Sequence, residues 1–269
     1  MSMFRTAVCV TGLAGAVAMI GPQTAGAETL TVGASYSLKP AFQKIVPMFE
    51  REYGASVQVT YGSSRALRRG IEQGSPIDVF LPGPVEEVET LHKKGLTLGK
   101  GVQVYARTSL VLVMSEASRT TSASFNDSLP DRTVRLAIGD PKTSSLGELS
   151  ERVLAKMYPG YKRRFQLIHA PHSEEILDLL RGGQADMGLL YRVDALNHGQ
   201  LWIVDEVSTE NHKNQTPVLF GQAMVATCRE ESRKVAEDFL DFMMSPRIQK
   251  LLVQYGFDPI MSRGTGTTG

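Results

Sequence analysis

"TYGSSRALRRGIEQGSPIDVF", residues 60–80, carries a strand end, a helix and the start of another strand in one short run. The overlapping segment "SVQVTY" reads as a β-strand, and residues 64–73 read as a helix with Leu67 and Ile71 turned inward. Gly74 is the helix stop. "IDVFL" is the next strand, followed by a helix over residues 85–94 that Gly95 closes. Upstream, "TLTVGA" (residues 29–34) alternates and is β-branched, while Leu38, Phe42, Ile45, Phe49 and Tyr53 recur at helical spacing. Strands alternating with helices predict a parallel sheet covered by helices on both faces.

A second series begins at "SLVLVM" (residues 109–114). "VRLAIGD", "FQLIH", "DMGLLY" and "LWIVD" are its further strands, and residues 147–157 and 174–181 its helices, with Ile176, Leu177 and Leu180 on one side of the latter. "VLFGQAMVAT" and helices over residues 231–243 and 246–255 complete the body, the last opened by Ser245 and Pro246 as cap and first-turn proline. No linker rich in proline, glycine and serine separates the two series. The expected organisation is therefore two lobes, the first discontinuous (residues 28–108 and 220–260), the second continuous (residues 109–219), with crossings near Thr108 and Phe220.

The ends differ from the body. Arg5, an apolar run over residues 7–20 and Ala25-Gly26-Ala27 form a secretory signal over residues 1–27, too short for a membrane span of about 20 apolar residues. The mature chain is expected to be exported and soluble, and residues 261–269 to be a disordered tail. Cys9 falls in the signal. Cys228 is then the single mature cysteine, which permits no internal disulfide and reads as a small buried hydrophobe.

Of 269 residues, 42% are hydrophobic and 21% charged, and the net charge is +1. Such a balance provides no field for nucleic acid, and Arg65, Arg68 and Arg69, like residues 162–164, are short basic clusters that read as solvated faces or turns. Chemistry belongs instead beyond the carboxyl ends of the strands, where loops enter helices. Those loops are "GASYSLKP", "YGSSRAL", "IGDPKTSSLGE", "HAPHSEE" and the end of "GLLYRVD". Taken singly, Ser37, Ser64, Ser145 and Ser173 read as helix caps, and Ser145 with Glu148 as a capping box. Brought together across a cleft, the same helix starts offer hydroxyls and unpaired amides, a neutral site for an anion.

Other chemistries fit less well. A hydrolase could draw on Ser63 or Ser64, His169 or His172, and Asp140, but "YGSSRAL" has Ala66 where the nucleophile elbow needs glycine. His169 and His172 are the one close pair among five histidines and have no cysteine neighbours, so no metal site is expected. Tyr36, Tyr61 and Tyr191 are scattered, unlike the clustered tyrosines a ferric receptor would favour. Asp78 and Asp140 read as structural turn-formers, and Arg65 as either a cleft charge or an outward one.

"VGASYSLKPAFQKI", "YGSSRALRRGIEQGSPIDVFLPG", "SLVLVMS", "RLAIGDPKTSSLGELSERVL", "ADMGLLYRVDA" and "YGFDP" resemble, in order and spacing, the segments of periplasmic molybdate-binding proteins, the solute receptors of molybdate ABC importers. The likeness covers residues 29–259; the double-serine segment and "IGDP" are its more specific parts. It implies an α/β, two-lobed periplasmic-binding-protein (Venus-flytrap) fold with parallel-rich sheets and flanking helices. It also implies a periplasmic monomer, not an enzyme, that needs no cofactor and delivers molybdate, tungstate or a similar oxyanion to the membrane subunits of an importer. The family's ligand positions fall on Ser37, Ser64, Leu146, Ser173 and Tyr191. An alignment on Ala170-Pro171 would move the fourth of these two residues later, to Glu175; the ungapped alignment keeps Ile176, Leu177 and Leu180 buried. The first and third loops depart from the family, with Ser35, Tyr36 and a bulky Leu146 beside the expected pocket and Thr143, Ser144, Ser145 and His172 as added donors. Sulfate, phosphate or a small carboxylate therefore stand as alternative ligands, and an exported adapter without ligand as an alternative role.

Overall fold

The computed structural model describes residues 28–116, 134–157, 160–199, 201–207 and 217–260, so the expected signal and tail lie outside the described residues. From the opening stretch outward, the first half runs β1 (Thr29–Ser35), a single 3₁₀ turn (Tyr36–Leu38), α1 (Lys39–Tyr53), β2 (Ser56–Gly62), α2 (Ser64–Glu72), β3 (Val79–Leu81), α3 (Glu86–Lys93) and β4 (Thr97–Thr108). The second half runs β5 (Leu110–Ser115), β6 (Arg135–Gly139), α4 (Ser145–Met157), α5 (Tyr161–Arg164), β7 (Gln166–Ala170), α6 (Ser173–Arg181), β8 (Met187–Tyr191), α7 (Arg192–Asn197) and β9 (Leu201–Val207). The chain then returns through β10 (Val218–Val225), α8 (Arg233–Met244) and α9 (Pro246–Gln254).

The two sheets share one plan. Their strand orders are β2-β1-β3-β10-β4 and β7-β6-β8-β5-β9. In each, three strands of a βαβαβ unit are parallel, and the fourth position is taken by a strand arriving from the other half: β10 lies antiparallel to β3 and β4, and β5 antiparallel to β8 and β9. The sheets are thus mixed where the alternating pattern alone predicts a parallel one. A buried strand reads as a continuous apolar run whichever way it points, and all of Leu110–Ser115 is buried.

An aspartate recurs at the same place in both plans. Asp78, just before β3, accepts the Thr31 amide at 2.8 Å from neighbouring β1, and Asp186, just before β8, accepts the Arg135 amide at 2.8 Å from neighbouring β6. Each also holds an arginine, Arg229 and Arg135 respectively. Both aspartates therefore tie strand starts, at the sheet edge opposite the helix-entry loops, and Asp78 is structural as its turn position suggests.

Alternation on β3 shows how helices cover both faces of the first sheet. Val79 and Leu81 join the core that includes Phe42, Ile45 and Phe49 of α1 and Phe239 of α8, whereas Phe80 points the other way onto Leu67 and Ile71 of α2 and Leu91 of α3. Tyr53 departs from its expected place: it is 41% exposed and stacks on Phe49, with ring centroids 4.5 Å apart, because the helix ends there at Gly54 in the left-handed conformation. Cys228 is buried, and burial pushes its thiol up to about 12. No described helix is long and apolar enough to cross a membrane. On the outer edge of the second sheet, β9 pairs, among the described residues, with β5 alone and carries Trp202, 60% exposed.

Candidate functional site

Both βαβαβ units place their helix entrances on one cleft. Ser35, Tyr36 and Ser37 at the end of β1, Gly62, Ser63 and Ser64 where β2 passes into α2, Ser144, Ser145 and Leu146 at the start of α4, His172 and Ser173 at the start of α6, and Tyr191 at the end of β8 line a single cavity. All five expected ligand positions, Ser37, Ser64, Leu146, Ser173 and Tyr191, line it. Glu175, the position given by the alternative alignment, does not; its amide is bound to His172 Nδ1 at 3.3 Å.

The caps fall one residue earlier than the expected ones at α2, α4 and α6 and two earlier at the first turn, and this decides which groups remain for a ligand. Ser63 rather than Ser64 caps α2, accepting the Ala66 amide. Ser144 rather than Ser145 accepts the Gly147 amide at 3.4 Å, so no Ser145–Glu148 capping box forms, and Glu148 pairs with Arg65 instead. His172 rather than Ser173 caps α6, and Ser35 accepts the amide of Ser37. An N-cap residue must leave the helix in an extended conformation so that its side chain can turn back on the first turn. The residue after it has helical dihedrals and an unpaired amide. Ser64, Ser145 and Ser173 occupy that following position, so their amides and hydroxyls are not spent on capping.

Each hydroxyl is nevertheless aimed. Ser64 Oγ accepts the Gly83 amide at 2.9 Å, which leaves its proton as the free function. Ser145 is spoken for differently, donating to Glu87 Oε1 at 2.6 Å across the cleft. Tyr191 Oη is fully buried with no hydrogen-bond partner among the described residues. Burial, reinforced by the charge of Asp194, holds that phenol well above its ordinary range, so it stays protonated and able to donate. His172 Nδ1 accepts a backbone amide, which assigns the ring proton of the neutral form to Nε2. Its ring lies 4.6 Å from that of Tyr36, centroid to centroid, one from each side of the cleft.

Arg65 resolves to a bridging role. Nη1 donates to Pro141 O at 2.7 Å and Nη2 pairs with Glu148, both on the opposite half, and the residue is not among those lining the cavity. Ser63 Oγ to Thr143 O at 3.0 Å and Lys39 to Glu174 at 2.8 Å also cross the cleft. The cavity itself is lined without Lys, Arg, Asp or Glu. The centre of a water molecule can range over about 20 Å³ within it. With a water radius of about 1.4 Å, that range is equivalent to a sphere of about 3.1 Å radius, room for one central atom with four oxygens around it.

The residues of the hydrolase reading are not wired to one another. Asp140 Oδ1 accepts the Lys142 amide at 2.9 Å, His169 is exposed, and Ser63 Oγ serves the α2 cap and Thr143. Among the described residues no group of three His, Cys, Asp or Glu is placed to hold a metal ion.

Two similar α/β halves that close helix starts around a ligand-sized cavity define a binding fold of the periplasmic-receptor type. The chain belongs to the bacterial extracellular solute-binding protein family, whose profile matches residues 30–258. It is 26% identical over 247 residues to the molybdate-binding protein ModA of Haemophilus influenzae, covering 90% of this chain and 94% of that protein. The periplasmic molybdate-binding protein of Azotobacter vinelandii superposes with a TM-score of 0.70 at 18% identity, covering 86% of this chain and 100% of that one. The sulfate-binding protein SubI of Mycobacterium tuberculosis gives the same TM-score and identity, covering 87% of each chain. At such identities the structural likenesses show the fold.

Proposed function

We propose that this protein is the exported receptor of an ABC importer and captures one tetrahedral oxyanion, molybdate or tungstate. The observation that carries the reading is the cavity itself: about 20 Å³, lined from both sheets by serine hydroxyls, helix-start amides and the unpartnered Tyr191 hydroxyl, with no carboxylate and no fixed cation in its wall. A dianion stripped of water needs several donors at once. Hydrogen bonds to a charged group contribute about 1.5–3 kcal/mol each, so a handful reaches the roughly −8 kcal/mol of micromolar binding. The molybdate-binding names of the relatives favour the larger oxyanions over sulfate.

In this reading Ser37 and Ser64 belong to one lobe and Leu146, Ser173 and Tyr191 to the other. The lobes comprise residues 28–108 with 220–260, and residues 109–219. Closure is a hinge motion about the crossings near Thr108 and Phe220, with the anion bridging both sides. Leu146 contributes its amide.

Calorimetry with molybdate, tungstate, sulfate and phosphate tests the assignment. Molybdate and tungstate are expected to bind most tightly, and to raise the unfolding temperature by mass action. Preference for sulfate, phosphate or a small carboxylate would move the ligand, ester turnover would favour the hydrolase, and no binding of any anion would favour the adapter. Ser64→Ala is expected to weaken binding by about 1–3 kcal/mol and, by stranding the Gly83 amide, to cost some stability too. An unchanged affinity would remove Ser64 from the site.

Tyr191→Phe separates binding from folding more cleanly. Deleting an oxygen that has no partner costs the free protein nothing, whereas the anion loses a donor; affinity should fall by about 1.5–3 kcal/mol with the denaturation midpoint unchanged or higher. A destabilised variant with wild-type affinity would contradict that account.

A further inference from the structure

Three successive backbone carbonyls of one loop each accept a proton from across the cleft. The loop joins β6 to α4, in the half that holds the second sheet. Pro141 O, Lys142 O and Thr143 O receive Arg65 Nη1 at 2.7 Å, Arg69 Nη2 at 3.3 Å and Ser63 Oγ at 3.0 Å, donors from α2 and its cap in the other half. Two further contacts flank them. Arg65 Nη2 pairs with Glu148 in the first turn of α4, and Ser145 Oγ donates at 2.6 Å to Glu87 of α3, a carboxylate that Arg68 of α2 also holds. The loop itself is ready made. Asp140 O accepts the amides of Thr143 at 3.1 Å and Ser144 at 2.8 Å, Asp140 Oδ1 accepts that of Lys142 at 2.9 Å, and Pro141 has no amide proton. With its amides turned inward the loop presents its carbonyls outward, so docking on α2 costs little further ordering.

Arg65 is the central member. Its side chain is 16% exposed, Nε lies 3.7 Å from Glu87 Oε1, and both Nη atoms reach the other half. Shielding of this kind preserves what water and salt take from a surface pair. Arg65, Arg69, Glu87 and Glu148 are not among the residues lining the cavity, so none of these bonds needs an anion for a partner. We infer that Arg65 is a positioning residue for anion capture: it latches α2 to the β6–α4 loop, holds the cleft closed before an anion arrives, and so sets the Ser145 and Leu146 amides at the cavity in advance. The Ser145 hydroxyl, given to Glu87, belongs to this closure and not to the ligand. The inference rests on the two-lobed oxyanion reading above and adds to it residues that govern affinity without touching the anion.

A latch and a charge leave different signatures. Apparent affinity falls by the fraction of molecules that occupy the binding-competent form, so a contact that favours closure strengthens binding from a distance, and loss of either partner weakens it. A charge near the cavity acts through its field instead: removing a cation weakens anion binding and slows association, and removing a carboxylate does the reverse. Kinetics separate the two as well. An anion enters and leaves while the halves are apart, so an unlatched receptor associates faster and dissociates faster still.

Small-angle scattering with and without saturating molybdate, joined to calorimetry and stopped-flow mixing, tests the latch on the wild-type chain, Arg65→Met and Glu148→Ala. The wild-type chain is expected to be as compact without molybdate as with it. Arg65→Met, which keeps the stem and loses the guanidinium, should expand when ligand-free, contract on loading, bind roughly tenfold more weakly and associate faster. Glu148→Ala, at the exposed partner, should change in the same directions by about threefold. A wild-type chain more extended without molybdate than with it would overturn the latch, as would an Arg65→Met chain as compact as wild type with unchanged affinity. Slower association in Arg65→Met with tighter binding in Glu148→Ala would replace the latch by a field effect. Each of these results leaves the oxyanion reading standing. Should neither molybdate nor sulfate bind the wild-type chain, the oxyanion reading falls, and the ligand-free radii of wild type and Arg65→Met still decide the latch. Should Arg65→Met fail to fold, Glu148→Ala carries both readouts.

Discussion

Gly147→Ala is expected to destabilise the protein by about 3 kcal/mol or more and to remove oxyanion binding from whatever remains folded. A methyl group there would sit 2.3 Å from the Gly139 carbonyl oxygen, 2.4 Å from its carbonyl carbon and 2.6 Å from the Asp140 carbonyl carbon. All three are backbone atoms, so no side chain can swing aside. The approach is mutual, since a methyl on Gly139 would meet the Gly147 nitrogen at 2.6 Å. The two glycines let the first turn of α4 rest directly on the end of β6, which is what brings Ser145 and Leu146 to the cavity. Denaturant unfolding and calorimetry on the same sample check both effects, with Gly199→Ala, where nothing lies within 4 Å, as the reference. A Gly147→Ala protein that keeps its midpoint and its affinity would show that α4 tolerates a shift the geometry forbids.

Asp78→Ala should be comparably costly for a different reason and should leave the site alone. Asp78 is 1% exposed; Oδ2 accepts the Thr31 amide at 2.8 Å and Arg229 Nη2 at 3.0 Å, and Oδ1 accepts the Arg229 amide at 3.1 Å. Removing it strands the amides of Thr31 at the start of β1 and of Arg229 after β10, while the exposed Arg229 guanidinium returns to water. Each stranded amide costs about 1–3 kcal/mol. The cavity lies at the other end of β1, so urea denaturation should register the loss while the folded fraction binds with unchanged affinity. A large drop in affinity with little loss of stability would place Asp78 in the site, against the geometry.

The βαβαβ plan was legible because each element has its own period: Val79 and Leu81 on one face with Phe80 on the other, and Leu67 and Ile71 a turn apart. Strand direction was not, because apolar runs such as Leu110–Ser115 carry no arrow. The short helices α5 and α7 and the length of β4, which passes Gly99 and Gly101 at positive φ, also escaped the periodicity. The residues around the cavity could be named from their loops and from the family likeness, yet their division of labour could not. In Ser63-Ser64 and Ser144-Ser145 either serine can cap, and the choice depends on how the strand is left, a backbone matter. Gly139 and Gly147 are unremarkable until a strand and a helix meet.

The single tryptophan sits on the outer edge of β9, far along the second sheet from the cavity wall, with most of its surface already in water. Its emission therefore reports solvent and not the state of the cleft, and an optical assay that excites indole selectively would be blind to ligand entry. Tyr36 and Tyr191, which meet the cavity from opposite sides, are the native chromophores whose signal senses its contents.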